Sequence, residues 1–284
     1  MARRAWAAGE PLHALVYFAP EVRAAAEAAG LRGFWRGYFA LRAAPLGAVG
    51  AGVVTAAFHN FAPAMVSRAV PGIWQVVTPD QALAARLTGV DSALRAHLGE
   101  AVASTPAVVE AARLARDAVA VARVEGRVLG AAATDLPWPD EPHLALWHAL
   151  TALRELRGDG HVAALVTAGI DGCAAHVLFA AVGGTPRDLT QPHRGWTDAD
   201  WQRTVDDLRG RRLVDASGAA TTAGRALRAE IEDTTDRAAP DVVAALGAAS
   251  ADRLVELLTG LSAVVVEAGV VPVPNPMGSP WPPP

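Results

Sequence analysis

Helix-forming residues fill almost every window of this 284-residue chain, and this bias most limits what the chain can fold into. Alanine, leucine, arginine and glutamate dominate, whereas β-branched or aromatic runs bounded by turns are scarce. Pro20, Pro63, Pro79 and Pro106 each stand where the first turn of a helix would begin, a position that does not need the missing N–H. The sequence therefore predicts an all-α, mainly helical protein with one small β-hairpin.

The composition excludes several broad classes of protein. With 52% hydrophobic and 19% charged residues, the chain is expected to form a sizeable core rather than stay disordered. A formal net charge of −4 without any basic run argues against non-specific binding to nucleic acid or anionic membranes. The single cysteine, Cys173, lies in an apolar run, and residues 1–9 lack the apolar core of a signal peptide. A cytoplasmic location and no membrane partner are therefore expected.

A proline-punctuated stretch, residues 136–142, divides the chain almost in half. We expect an N-terminal helical half over residues 1–135, a C-terminal half over residues 136–270 and an extended proline-rich tail over residues 271–284. Each half contains, in the same order, an arginine, a long helix of small residues, a tryptophan and an arginine-rich helix. This order is compatible with pseudo-duplicated halves.

The clearest local signature covers residues 196–236. A capped helix is followed by a short strand at 213–215, a turn at Ser217 and Gly218, and a second helix that begins at Thr221. This order resembles the winged-helix part of MarR-type (multiple-antibiotic-resistance) regulators, in which a "GLV" segment, a wing and an "LTxxGRxL" helix follow the recognition helix. The matching segments here are RLV at 212–214 and TTAGRAL at 221–227.

Over nearly its whole length, the sequence also resembles a group of actinobacterial proteins described as a helix-turn-helix family. The matching segments are EPLH and YFAPE within residues 10–21, GYFA and RAAPLG within 37–47, LRE and RGDGH within 153–161, RGW at 194–196 and TTD at 234–236. The resemblance implies a winged-helix fold and no particular reaction.

Charge bears on whether such a winged helix binds DNA. In that case the DNA contacts would be Arg203, Arg209, Arg211 and Arg212. From residue 194 to 215, however, five arginines stand against five aspartates, and Asp198 and Asp200 lie in the first turn of the recognition helix, where they would face phosphate. Acidic residues at a helix start also stabilise the helix dipole. The charge balance nevertheless disfavours DNA as a partner.

Glu10 and His13 stand three residues apart, so a helix places both on one face, with Tyr17 four residues further along. Carboxylate-bridged metal bundles use such Glu-x-x-His pairs, but they need two of them and this chain has one. Gly-rich phosphate loops and Gly-x-Ser-x-Gly elbows are absent as well. We therefore expect a structural role or an organic-ligand contact for these three residues, no metal, and no identifiable cofactor.

Residues 154–161, RELRGDGH, concentrate charge around two glycines. We expect a turn here, between a helix that ends at Arg154 and a buried helix that begins at His161. Two interpretations stay open: a corner held by arginine–carboxylate pairs, or a ligand site. In a site that performs chemistry, His161 would be the base, with Asp159 or Glu155 tuning it.

The leading hypothesis is a winged-helix protein that encloses a small organic, anionic ligand between its two halves. Arg42, among apolar residues, and Arg154 would hold the anionic group, and His59, between two phenylalanines, suits a planar ligand. The sequence leaves open whether such a protein is only a binder or an enzyme of specialised metabolism. The alternative is a ligand-responsive, MarR-like transcription regulator, and a homodimeric scaffold is a third hypothesis.

Overall fold

The computed structural model describes every residue from Met1 to Pro284, and helices hold 70% of the chain. In chain order the α-helices are α1 (Ala2–Phe18), α2 (Pro20–Ala28), α3 (Phe34–Ala43), α4 (Ala51–Phe58), α5 (Pro63–Ser67), α6 (Pro79–Leu98), α7 (Pro106–Ala120), α8 (Val128–Thr134), α9 (Pro142–Thr167), α10 (Gly172–Ala181), α11 (Arg187–Arg194), α12 (Asp198–Gly210), α13 (Thr222–Ala238), α14 (Val242–Leu246) and α15 (Ala248–Glu267). Short 3₁₀ helices lie at Ala44–Leu46, Gly72–Gln75 and Val102–Ser104. The predicted mainly helical fold is confirmed.

The predicted two-stranded wing is not supported, because only one antiparallel bridge, between Val214 and Ala220, is present. The carboxylate of Asp215 accepts hydrogen bonds from the backbone N–H groups of Ser217, at 2.8 Å, and of Ala219, at 3.1 Å. Backbone hydrogen bonds from Asp215 N–H to the Ala219 carbonyl, at 2.9 Å, and from Thr221 N–H to the Leu213 carbonyl, at 3.0 Å, flank this bridge, and no longer ladder forms. A short turn therefore replaces the hairpin between α12 and α13.

The TTAGRAL segment, residues 221–227, fixes this turn against α13. The Thr221 hydroxyl caps the helix by accepting a hydrogen bond from the backbone N–H of Gly224. A Cβ atom on Gly224 would lie 2.0 Å from the carbonyl oxygen of Leu213, so only glycine fits here. This local packing explains the recognisable motif without a β-sheet.

The predicted turn at Gly158 and Gly160 is wrong, because α9 runs through both glycines without a break. The chain bends instead after α9, and Asp171 caps the start of α10 by accepting a hydrogen bond from the N–H of Ala174. Gly160 serves close packing, since a Cβ atom on it would lie 2.9 Å from the Cβ of Ala238 on α13. The charged residues 154–161 consequently point to different sides of one long helix.

Helix α9 lies at the centre of the fold, with α1, α7, α8 and α13 packed against it. The main hydrophobic core combines residues from both halves of the chain, whereas a smaller core lies under α10, α12 and α13 and contains the buried Cys173. An internal duplication is not supported, since this smaller core has no counterpart in residues 1–135.

No single helix is both long and apolar enough to cross a bilayer. Only two helix pairs, Phe34–Leu46 with Ala51–Phe58 and Pro142–Thr167 with Gly172–Ala181, meet that test when joined, and each is bent by 91°.

Candidate functional site

Several predicted site residues meet where α1, α3 and α9 pack together, around the buried carboxylate of Glu155. Arg42 donates to both oxygens of this carboxylate, from Nε and from Nη2, at 2.9 Å each. Arg154 donates from Nη1 to one of the same oxygens, also at 2.9 Å. Burial alone would raise the pKa of Glu155, but the two guanidinium groups outweigh burial and hold this pKa well below its usual range. Both predicted anion-binding arginines are therefore already neutralised within the protein.

Glu10 extends this cluster on α1. Its carboxylate accepts hydrogen bonds from Trp6 Nε1 at 2.8 Å and from Arg154 Nε at 3.3 Å. Burial raises the pKa of Glu10, and the charge of Arg154 opposes that rise. The two voids beside the cluster measure about 30 and 20 Å3, which leaves space for little more than a single water molecule. This geometry supports a structural role more than a ligand contact.

His13 and Tyr17 form a closed hydrogen-bond chain. The hydroxyl of Thr151 donates to the carbonyl oxygen of Trp147 at 2.9 Å, so its oxygen accepts from His13 Nδ1 at 3.1 Å. His13 Nε2 then accepts from the hydroxyl of Tyr17 at 3.2 Å. Burial lowers the pKa of His13 and raises the pKa of Tyr17, so both side chains are neutral at pH 7. Neither imidazole nitrogen of His13 is free for a ligand.

Asp159 and His59 lie apart from that cluster and from each other. Asp159 accepts a hydrogen bond from the backbone N–H of Gly130 at 2.8 Å, which ties α8 to α9, and burial raises its pKa to about 6. His59 ends α4 with a φ of 52°, and its Nε2 donates to the carbonyl oxygen of Ile170 at 3.3 Å. Neither Asp159 nor Glu155 contacts His161, so the predicted tuning of that imidazole by a carboxylate on α9 is not formed.

His161 lines a different feature, a cavity of about 390 Å3 between α9, α10, α11 and α13. Three residues of the N-terminal half border it: Arg3, Trp6 and Asn60. Residues 276–280 of the tail cover one side, and the carbonyl oxygen of Pro276 accepts a hydrogen bond from Arg194 Nη2 at 2.7 Å. The cavity is thus bordered by both halves of the chain and by its tail.

The wall of this cavity carries an excess of positive charge. Its arginines are Arg3, Arg157, Arg194 and Arg228, and its one carboxylate is Glu232. Arg157 donates to Glu232 and to Asp236 at 3.2 Å each, and Arg228 also pairs with Glu232. Arg194 has no carboxylate partner and donates only to the carbonyl oxygens of His193 and Pro276. Burial lowers the pKa of Arg194, and its guanidinium group lies 4.9 Å over the Phe61 ring, so this cation contacts carbonyl oxygens and an aromatic face but no carboxylate.

Unpartnered polar atoms concentrate around the same cavity. Eight buried side-chain nitrogen or oxygen atoms in the chain lack a hydrogen-bond partner. Four of them belong to residues of this wall: Arg3 Nε, Asn60 Oδ1, Arg157 Nε and Arg194 Nε. Because buried polar groups are normally satisfied, four unpartnered atoms in the residues of one wall mark it as a region of the protein with poorly compensated polar groups.

Sequence reasoning missed several residues of this wall, among them Asn60, Arg157 and Arg194. Two of them stand inside segments that carry the family resemblance, since Arg157 begins RGDGH and Arg194 begins RGW. Their position inside these segments was the signal from which the sequence could have identified both arginines. Asn60 gave none, because nothing in its sequence neighbourhood distinguishes its amide from that of a loop residue.

Another buried cation and a larger groove fit a ligand less well. Arg86 lacks a carboxylate partner, but it donates to the carbonyl oxygen of Leu41 and lies over the Trp147 ring, beside a void of only about 20 Å3. A more open groove of about 580 Å3 lies between α9, α10 and α12, and none of its lining side chains has an unpartnered buried polar atom. No group of three or more His, Cys, Asp or Glu side chains is placed to hold a metal ion.

Helices α11 and α12 follow one another across a short turn that contains Gly195, with a φ of 75°. Three of the four candidate DNA-binding arginines pair with aspartates of α12: Arg203 with Asp200, Arg209 with Asp206 and Arg211 with Asp207. Arg212 is exposed and its side chain has no partner. The charge of this face is therefore largely compensated before any phosphate approaches.

Comparison with known proteins supports the predicted helix-turn-helix family. Residues 2–272 match the model of a helix-turn-helix family, and the chain belongs to that family. No curated protein and no solved structure matches the sequence. The predicted helix-turn-helix relationship is thus confirmed over nearly the whole chain.

Proposed function

We propose that this protein binds a small organic anion in the cavity between α9, α10, α11, α13 and the tail. The observation that carries the proposal is Arg194, an arginine of this wall that bonds two carbonyl oxygens and no carboxylate, beside a cavity large enough for a small molecule. An anionic group beside Arg194 would accept from a terminal guanidinium N–H that the two carbonyl partners do not use, and it would supply the missing negative charge. A volume of about 390 Å3 lies in the range of small-molecule sites.

This proposal keeps the predicted location of the site between the two halves, but it places the anion beside Arg194 instead of Arg42 and Arg154. Of the residues selected from the sequence, only His161 lines the cavity. Arg42 and Arg154 are already held by Glu155 and Glu10, and Arg157 by Glu232 and Asp236, so Arg194 takes over the proposed anion-binding role. An enzymatic reaction, a homodimer and a cytoplasmic location stay predictions.

The test begins with what the protein carries from cells. Protein purified by a mild procedure is denatured, and the released small molecules are identified by mass spectrometry; we expect an organic acid in near-stoichiometric amount. Stripped protein is then titrated with benzoate and with small aliphatic acids, and a bound acid should raise the melting temperature, since only the folded state binds it. Release of no acid, combined with no shift by any acid of the panel, would overturn the proposal and leave a cavity filled by water.

A second candidate function is a DNA-binding regulator of the MarR-like kind. The family match over residues 2–272 and the α11–α12 pair favour it, while the paired arginines oppose it. Arg194 ends α11 directly before the turn into α12, so an occupied cavity could bias the recognition helix relative to DNA. The MarR-like relationship and an actinobacterial source stay predictions within this candidate.

A gel-shift assay with the duplex upstream of the protein's own gene tests this candidate. A regulator should retard that duplex specifically at moderate salt, and Arg212→Ala should weaken the retardation because this side chain has no competing aspartate. The matched control is Arg225→Ala on α13, another exposed arginine, which should change nothing. An absence of specific retardation removes the regulator and leaves the ligand proposal in place.

A further inference from the structure

The hydrogen bonds around His161 determine which of its nitrogens carries the proton. The hydroxyl of Thr235 donates to the carbonyl oxygen of Ile231 at 2.7 Å, so its single hydrogen is used. The oxygen of Thr235 must then accept from His161 Nδ1, which lies 2.8 Å away. The proton of the neutral imidazole is therefore on Nδ1, and Nε2 carries a lone pair.

That lone pair is available to an occupant of the cavity. His161 Nε2 makes no hydrogen bond within the protein and is not sealed from solvent, and the side chain is 24% exposed where it lines the cavity. Burial lowers the pKa of His161 to about 4, against the opposing charge of Glu232. At pH 7 this nitrogen consequently accepts a hydrogen bond and donates none.

His176, on α10, repeats this arrangement in the same wall. Its Nε2 donates to the carbonyl oxygen of Asn60 at 3.2 Å, which leaves Nδ1 as an acceptor, and burial lowers its pKa to about 3. Asn60 Oδ1 is a further acceptor without a partner. A plain carboxylate would satisfy the arginine donors of the wall and leave these acceptors unmatched.

The remaining lining is apolar. Leu178, Phe179, Ile231 and Met277 border the cavity together with the polar groups. An occupant that fills the space therefore needs a hydrophobic body as well as polar ends.

We infer that the occupant is a hydroxylated organic acid, whose anionic group contacts Arg194, whose hydroxyl donates to His161 Nε2 and whose body packs on the apolar lining. This inference rests on the proposed function and adds the second functional group of the ligand. His161 acts here as a hydrogen-bond acceptor that selects hydroxylated acids over plain ones, since a buried acceptor left unmatched is costly.

Isothermal titration of the full-length protein with four probes tests the inference. The probes are benzoate, 3-hydroxybenzoate and 4-hydroxybenzoate, and 3-hydroxybenzyl alcohol serves as the probe without an acid group. We expect at least one hydroxybenzoate to bind about 3- to 10-fold more tightly than benzoate, the range for one additional hydrogen bond. His161→Phe should remove this preference without changing the affinity for benzoate, and His161→Gln, which retains an acceptor, should restore part of it.

A second variant guards against a folding defect of His161→Phe. Thr235→Val removes the oxygen that fixes the proton on Nδ1, with little change in side-chain volume, and should also reduce the preference for hydroxybenzoates. Equal affinity of the wild type for benzoate and both hydroxybenzoates overturns the inference and leaves anion binding intact. A preference retained in both variants overturns the role of His161. Failure of every acid to bind counts against the proposed function itself.

Discussion

Replacing Glu155 with alanine is expected to destabilise the folded protein by about 3 to 5 kcal/mol, or to prevent folding, because Arg42 would be left buried without a counter-charge and Arg154 would keep only Glu10. The pair is well shielded: the side chain of Glu155 is 5% exposed and that of Arg42 is 13% exposed. Chemical unfolding monitored by circular dichroism measures the loss. Glu155→Gln keeps one acceptor oxygen for the guanidinium groups and should fold with a smaller loss of stability than the alanine variant.

The control for this prediction is Glu110→Ala, which removes the surface pair with Arg253. Exposed ion pairs contribute little, so we expect no measurable change in the unfolding midpoint. If Glu155→Ala were as stable as Glu110→Ala, the buried cluster would not hold α3 to α9 in the way described above.

The same carboxylate predicts how stability depends on pH. Because the folded-state pKa of Glu155 lies below its ordinary value, its stabilising contribution is present above the unfolded pKa of about 4.3 and is lost as the pH falls toward the folded pKa. The raised pKa of Glu10 acts in the opposite sense, since its contribution is lost as the pH rises. Glu155→Gln should therefore flatten the loss of stability below about pH 4 relative to the wild type.

Replacing Arg194 with glutamine is expected to weaken the binding of hydroxybenzoates and benzoate by about 10- to 100-fold, the effect of losing a hydrogen bond from a charged donor. Arg194 is the one arginine of the cavity wall without a carboxylate partner. The other three arginines are held by carboxylates, so none of them is available to bind the anion in its place. Titration calorimetry measures the change. Arg194→Lys keeps the charge but loses the planar guanidinium group, so its affinity for the acids should lie between that of the wild type and that of Arg194→Gln.

Arg225→Gln is the matched control, since this exposed arginine on α13 does not line the cavity. This variant should bind benzoate and the hydroxybenzoates with the affinity of the wild type. Near-ultraviolet circular dichroism verifies that the Arg194 variants keep their packing, because this side chain also bonds the tail. An unaltered affinity in a folded Arg194→Gln protein would place the anion elsewhere.

Local rules predicted the helical elements well. Pro20, Pro63, Pro79 and Pro106 begin α2, α5, α6 and α7, because a proline in the first helical turn loses no hydrogen bond. The same kind of rule failed at Gly160, where the glycine permits close contact with α13 rather than a turn. A glycine that serves packing and a glycine that ends a helix look alike in a single sequence.

The site was harder to predict because charge compensation is a long-range property. The partner of Arg42 is 113 residues away, and Arg154 reaches Glu10 across 144 residues. The sequence correctly selected guanidinium groups in apolar surroundings, but it could not tell which of them lacked a carboxylate. Arg194 differs from the others only in what the folded chain brings beside it.

The position of the tail affects how a small molecule enters and leaves the cavity. The Pro276 carbonyl oxygen and the proposed anion draw on the same guanidinium group of Arg194. Ligand binding and detachment of the tail are therefore coupled. A ligand that replaces Pro276 at Arg194 Nη2 would weaken the attachment of the tail, and a tail that stays attached would slow dissociation of the ligand. In such an arrangement the dissociation rate of the ligand depends on the proline-rich tail, even where the tail makes no specific contact with the ligand.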